Sequence, residues 1–392
     1  LDRAMQQLGL PGKSFVPLIV GFGCNVPAIM ATRTLDNRPD RILTTIMAPY
    51  MSCGARLTVY ALFAAAFFPV NGQNVVFALY FIGIAIAVLS AFVVRKQLLR
   101  NEPSPFVLEL PPYHLPTARG IVIHTWQRLK GFITRAGKAI VAVVIILNVV
   151  SSVGTDGSFG NQDKENSLLS EIGRTLTPLF HPMGIDEDNW PATVGIFTGI
   201  FAKEVVVGTL DALYTPASSN REFDFMETLR RAVASVPANL GDLAGNVGDP
   251  LGLGLGELEN TSQAALEQDV EISTIQAMRE LFHGELGAFS YLLFVLLYMP
   301  CAATIGVIYK ELGGFWATFS TTWSVVVAYG AAVLCYQLGN IAVQPQTSLA
   351  WSGAVLLFMF GAFTALIRLG RRHVARHEAG HGLIPVIQLD TD

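Results

Sequence analysis

Long apolar runs recur through this chain, and several carry a proline, glycine or cysteine inside the run or at its end. Proline removes a backbone donor and clashes with the preceding turn, so it frees carbonyls from the helical ladder. In lipid, freed backbone groups are tolerated only where protein or a water-lined cavity receives them. The clearest runs are 57–69 (extending back towards 42), 73–94, 139–152, 286–309, 315–339 and 350–367, while 15–31 and 190–210 are apolar but interrupted. Crossing about 30 Å of hydrocarbon takes roughly 20 helical residues, and most of these runs approach that. Only 14% of the residues are charged, against about 25% in soluble domains. The pattern predicts an all-α polytopic membrane protein with broken or re-entrant helices. Trp190, Trp316 and Trp351 lie at segment edges, where an interfacial aromatic belt would place them.

Charge orients the runs. Arg33, Arg38 and Arg41 crowd one loop, eight Lys and Arg residues lie between 95 and 138, and Arg368, Arg371, Arg372 and Arg376 fill the tail. These three regions read as cytoplasmic by the positive-inside rule. Segments 70–74 and 340–349 lack Lys and Arg, and 153–188 is acidic, so all three read as external. If 190–210 crossed fully, the basic tail would end outside; if it dips in and returns, the tail ends inside. Lys203 and Glu204 in its middle favour a re-entrant segment. Residues 119–138 set Ile121, Ile123, Trp126 and Leu129 among basic residues, as in an interfacial amphipathic helix. The chain shows no signal-peptide pattern and starts abruptly at Leu1, so we expect it to be a piece of a longer protein.

The breaks carry sulfur. G-F-G-C-N-V-P (21–27), A-P-Y-M-S-C-G-A-R (48–56) and Y-M-P-C-A-A (298–303) each set a cysteine beside a proline or glycine. Thiols and freed carbonyls at membrane depth suggest a path for a cation with affinity for sulfur, because soft ligands bias a site away from Mg²⁺ and Ca²⁺. Cys24, Cys53 and Cys301 are the candidate ligands. The plainer reading of any one of them is a small buried hydrophobe. Asn25 and the carbonyls before Pro27 and Pro300 could complete a coordination shell, whereas Met51 and Met299 read as core packing. Glu204 is the one carboxylate well inside an apolar segment, and an ionisable group there suggests function by default. It would ligate the ion or accept its proton, or else pair with Arg56. The seven histidines all fall in loops or the tail, and Cys335 lacks a break motif.

Two halves of the chain resemble each other weakly. Leu8-Gly9-Leu10 and the following apolar run match Met183-Gly184-Ile185 and its run, and Met51-Ser52-Cys53-Gly54-Ala55 matches Met299-Pro300-Cys301-Ala302-Ala303. The charge pattern runs the halves in opposite directions, as in transporters built from inverted repeats. The expected division is a partial first gate repeat at 1–94 and a cytoplasmic Pro-rich loop with amphipathic helix at 95–138. A second gate repeat follows at 139–310 with a Gly-rich loop at 211–285, then C-terminal helices at 311–367 and a basic tail at 368–392.

Seven motifs in order, from G-F-G-C-N-V-P-A-I-M-A-T-R-T-L through E-L-P-P-Y-H-L-P and A-K-E-V-V-V-G-T-L to L-Y-M-P-C, resemble the membrane region of the bacterial ferrous-iron transport protein B family. The resemblance implies an inverted-repeat gate architecture and transport of Fe²⁺ across the bacterial inner membrane. It implies a GTP-binding domain, with GTP and Mg²⁺, on a segment outside this chain, and small accessory iron-transport proteins as partners. A homo-oligomer stays open, membrane lipid is the expected surroundings, and nothing points to nucleic acid. Carried onto this chain, the metal path would involve Cys24, Cys53, Cys301 and Glu204. The chain itself would be a transporter domain and not an enzyme. G-L-P-G-K-S (9–14) is not a phosphate loop, because Gln7 stands where that motif needs its first glycine.

Two other readings remain. A gate-type permease for nucleosides would place hydrogen-bonding residues at the breaks instead of sulfur. A membrane zinc protease would use His377-Glu378-x-x-His381, a spacing that puts both histidines on one helix face but still needs a third ligand and a cleft.

Overall fold

A computed structural model describes residues 5, 10–99, 117–154, 158, 167–203, 205–214, 230, 235 and 272–381. Among these residues the fold has fourteen α-helices and one isolated bridge, between Gly154 and Ser167. The first part comprises α1 (Phe15–Gly23), α2 (Asn25–Ala31), α3 (Arg38–Met47), α4 (Gly54–Phe67) and α5 (Gly72–Leu98). Next come α6 (Ala118–Ser152), α7 (Leu168–Phe180), α8 (Trp190–Phe201), α9 (Val205–Tyr214) and α10 (Ile272–Leu281). The last part comprises α11 (Gly284–Leu297), α12 (Ala302–Leu312), α13 (Gly314–Gly339) and α14 (Pro345–His381). Five stretches are long and apolar enough to cross a membrane: Arg38–Phe67, Gly72–Leu98, Gly284–Leu312, Gly314–Gly339 and Pro345–Ala375.

The same local plan occurs twice. A pair of short helices separated by a break (α1 and α2; α8 and α9) is followed by a longer helix interrupted midway (α3–α4; α11–α12). The second pair folds back on itself. A Cβ built on Gly195 would lie 3.0 Å from Leu210 Cδ2, and one on Gly199 would lie 2.7 Å from Val206 Cγ2. Along a straight helix, residues as far apart as 195 and 210 would sit about 22 Å from each other, so 190–214 is a re-entrant hairpin. The turn is made where Ala202 adopts φ −147, ψ 116 and leaves helical geometry.

Helix α11 lies at the centre. It is apolar on every side, and Tyr291, Leu292, Leu296 and Leu297 are all at 0% exposure, as expected for a helix enclosed by others. Its neighbours are α13, α4 and α5. Phe63, Phe67, Phe282 and Tyr291 interlock here, with Phe63 stacked on Tyr291 at a ring separation of 4.9 Å. By contrast α5 turns Phe77, Phe81 and Phe92 outward, and α14 turns Leu357, Phe358 and Phe360 outward. Apolar faces of this extent suit lipid rather than water.

Three expectations change. The boundary at 138/139 vanishes, because the amphipathic stretch and the apolar run after it are one helix, α6, started by Thr117 accepting from the Gly120 amide. Part of the presumed external loop 153–188 is helical: Ser167 caps α7 by accepting from the Ser170 amide, as N-cap serines do. His373 does not lie in a loose tail. Helix α14 continues through His381, and the His373 ring stacks on Phe315 at 3.8 Å. The side chains of His377 and His381, and the Gly-rich stretch 241–256, lie outside the described residues.

Two packing details carry predictions. A Cβ on Gly83 of α5 would lie 2.7 Å from the Tyr50 carbonyl. That neighbour is backbone and cannot swing away, so Gly83→Ala is expected to destabilise by about 1–3 kcal/mol, read as a lower melting temperature in detergent. Second, Glu311 at the end of α12 accepts from Arg33 through both carboxylate oxygens, and Arg41 Nη2 lies 3.6 Å from Oε2. The Glu311 side chain is 5% exposed and that of Arg33 51%. Solvent therefore screens part of this bond, and Glu311→Gln is expected to cost about 1 kcal/mol in the same melting assay.

Candidate functional site

Each cysteine of the sequence motifs occupies the residue just before a helix. Cys24 is extended (φ −156, ψ 130) between α1 and α2, Cys53 precedes α4 at φ −81, ψ 163, and Cys301 precedes α12 at φ −59, ψ 157. None of the three uses its side chain as a cap. Proline explains two of the breaks: Pro49 stands in the turn 48–50 ahead of Cys53, and Pro300 lies directly ahead of Cys301. Cys24 is exposed, whereas Cys53 and Cys301 are half-buried.

The three breaks are neighbours in space. A Cβ on Gly21 would touch Met51 Cβ at 3.1 Å, so α1 rests directly on the second break. The Asn25 amide bridges the same two segments: its nitrogen reaches the Gly21 carbonyl at 3.2 Å and the Ala48 carbonyl at 2.8 Å once its O and N are assigned to satisfy both. Helix α12, which begins after Cys301, packs along α2, which begins after Cys24. Ile308 of α12 joins Ala28, Ile29 and Ala48 in one buried cluster.

Tyr298 stands where the second and third breaks meet. Its phenol is fully buried and within electrostatic reach of Arg56, Cys301 and Cys53. The Lys203 ammonium sits 4.4 Å from its ring centroid, a cation–π distance. Lys203 of the re-entrant turn thus lies on this ring, and α11, which leads into Tyr298, packs against the turn 48–50 of the α3–α4 break. Cys301 Sγ lies 3.2 Å from Thr304 Oγ1, and Ser52 Oγ lies 3.3 Å from the Tyr60 hydroxyl beside Cys53. Arg56 is wholly buried, and its Nη1 donates to the carbonyls of Pro49 (2.6 Å) and Met51 (3.1 Å).

Measured against the sequence expectations, the structure gathers the breaks bearing Cys24, Cys53 and Cys301 into one region without forming a chelating set. Among the described residues, no group of three or more His, Cys, Asp or Glu side chains is arranged to hold a metal ion. Glu204 lies outside the described residues. Arg56 spends its Nη1 on backbone carbonyls and has no carboxylate partner among the described residues. Asn25 is committed to the Gly21 and Ala48 carbonyls, Met51 is 4% exposed in the core, and Met299 packs against that core. Tyr298 was missed as a participant although it begins the Y-M-P-C motif, because the motif was read for its sulfur. A second polar cluster also escaped the sequence: Asp186 pairs with His181 at 3.4 Å and with His283 at 2.5 Å. Only folding brings those histidines, far apart in the chain, to one carboxylate.

Known proteins place this geometry in a family. A family model described as nucleoside recognition, the Gate family, matches residues 1–67 and 133–315. A second, described as ferrous iron transport protein B C terminus, matches residues 76–128. The Fe(2+) transporter FeoB of Legionella pneumophila (strain Lens) is 46% identical over 385 residues, which is 96% of this chain and 50% of that protein. The Fe(2+) transporter FeoB of Escherichia coli O6:H1 is 45% identical over 382 residues, 95% of this chain and 48% of that protein. The chain therefore spans about half the length of the curated relatives it matches. No solved structure matches it. With nearly two thirds of its length in the Gate match and a ferrous iron transport protein B segment lying between that match's two parts, the chain belongs to the Gate family, in its FeoB branch.

Proposed function

We propose that this chain forms the membrane path for Fe²⁺ in a bacterial inner-membrane transporter, and that a GTP-binding domain elsewhere in the full-length parent drives its opening. The observation that carries the reading is that α11, which leads into the Cys301 break, packs against the turn 48–50 and against α4, the segments on either side of Cys53. The relatives are Fe(2+) transporters, which supports the choice of ion. Half-buried thiols at helix breaks offer soft donors without a closed cage. That suits an ion that must enter and leave, since conduction requires binding weak enough to release. Cys24, exposed on the neighbouring break, would contact the ion at the edge of the path, and Glu204, next to Lys203 in the sequence, would ligate it or take up its proton. Accessory iron-transport proteins and further copies of the chain belong to the same reading as partners.

The test is anaerobic Fe(II) uptake in cells expressing the full-length parent, against cells lacking it. Uptake above background that Fe(II) saturates is the expected result. The Gate description, nucleoside recognition, favours one alternative cargo, so labelled nucleoside is offered in parallel. Nucleoside uptake without Fe(II) uptake would overturn the proposal.

A further inference from the structure

Arg56 is at 0% exposure, three residues into the helix that follows Cys53. Its Nη1 holds the Pro49 and Met51 carbonyls, which lie outside the helical ladder where the chain turns extended at Met51 and Cys53. Among the described residues its buried Nε and Nη2 find no hydrogen-bond partner, and neither does the buried Tyr298 hydroxyl. A buried guanidinium normally demands a carboxylate and a full set of acceptors, and none of the described carboxylates supplies one. Tyr298, within electrostatic reach of Arg56 and of both cysteines, carries a second cation, Lys203, on its ring. Two carbonyl oxygens in hydrogen-bond contact and a phenol within electrostatic reach therefore face a positive charge that the chain itself provides.

We propose that Arg56 is a tethered stand-in for the transported ion: it occupies the Pro49 and Met51 carbonyls when the path is empty, and a divalent cation must displace it to take those oxygens. This deepens the Fe²⁺ reading of the same site and rests on it. Displacement is feasible because, among the described residues, the guanidinium is held through one nitrogen only. A divalent ion brings twice the charge to the same oxygens and adds bonds to sulfur that Arg56 cannot make. The stand-in keeps the freed carbonyls satisfied between ions, as membrane depth requires. It also sets a threshold that a weakly bound monovalent ion does not pass. Arg56 is thus a positioning residue for selectivity.

Competition has a measurable signature. If Arg56 fills the site about nine-tenths of the time, apparent affinity for the ion is reduced about tenfold, and removing the competitor restores it. The experiment measures anaerobic Fe(II) binding by calorimetry, and Fe(II) flux into liposomes, for the purified full-length parent and its Arg56→Gln and Arg56→Lys variants. Arg56→Gln is expected to bind Fe(II) about tenfold tighter and to leak Fe(II) without GTP. Arg56→Lys, which keeps the charge, is expected to suppress that leak. A merely structural Arg56 would instead lower the melting temperature and leave affinity unchanged or weaker, and that result overturns the proposal. Should Arg56→Gln fail to fold, Arg56→Lys decides: its shorter ammonium reaches fewer of the carbonyls, so affinity should rise a few-fold, and unchanged affinity overturns the inference. Wild-type protein that neither binds nor moves Fe(II) sinks the transport reading itself; wild-type transport with no gain in Arg56→Gln sinks the stand-in alone.

Discussion

Serine at position 301 in the full-length parent is expected to cut anaerobic Fe(II) uptake by at least ~tenfold, equivalent to about 1.4 kcal/mol of lost interaction, with membrane levels unchanged. Serine at 53 should act in the same direction, and the double variant should fall lower. The reason is ligand chemistry. Oxygen in place of sulfur removes the bias towards soft-accepting ions and opens the site to competition from Mg²⁺. Serine is nearly the size of cysteine and can keep the contact that Cys301 Sγ makes with Thr304 Oγ1 at 3.2 Å, so the fold should tolerate it. Cys24 is exposed, unlike the other two, so Cys24→Ser should have the smallest effect. Uptake measured beside quantitative immunoblots of the membrane fraction separates lost transport from lost protein. Normal uptake by all three single variants would make the thiols packing residues, and Glu204 with the break carbonyls would become the site to test.

Gly199→Val should abolish uptake and lower the melting temperature together. Even a single Cβ at 199 would lie 2.4 Å from the Tyr298 hydroxyl and 2.7 Å from Val206 Cγ2. Neither neighbour can retreat: Tyr298 is 2% exposed and Val206 1%, and the Tyr298 ring is backed by Lys203. Overpacking of a tight core costs about 1–3 kcal/mol, and here it would also part the re-entrant hairpin from the phenol that joins the breaks. Gly208→Ala, on α9 but with nothing within 4 Å of the added carbon, is the control. It should leave uptake intact, and replacing glycine by alanine in a helix favours the fold by up to about 1 kcal/mol. A wild-type melting temperature for Gly199→Val would mean that α8 and α9 do not pack back to back.

Much of this architecture was legible in the residues because lipid leaves few options. Apolar runs near 73–94, 286–309, 315–339 and 350–367 became spanning-length helices with ends shifted by a few residues. Capping and fraying, which hydropathy does not encode, set those ends. The breaks were legible for a local reason: Pro49 and Pro300 lack the N–H that would carry a helical ladder onward from the preceding run, and the residue after each break region starts a new helix. Helix α7 was not legible, since its polar residues and Pro178 disguise a helix that Ser167 initiates. Likewise α6 was split in two because basic residues end an apolar run without ending a helix.

The candidate site divides along the same line. Residue chemistry alone singled out Cys24, Cys53 and Cys301, because a thiol beside a helix break is a local property of a few consecutive residues. Which breaks meet is not local. That Gly21 rests on Met51, that Asn25 reaches Ala48, that Lys203 lies on the Tyr298 ring and that α11 packs against the turn before Cys53 follow from contacts between segments up to 250 residues apart. The sequence by itself determined a helical membrane protein with sulfur at its breaks, since hydropathy and proline act within a turn or two. Only the tertiary structure decided that a buried arginine, itself without a carboxylate partner among the described residues, donates to the Pro49 and Met51 carbonyls. Side chains choose such partners by proximity in the packed state, and no spacing along the chain records that choice.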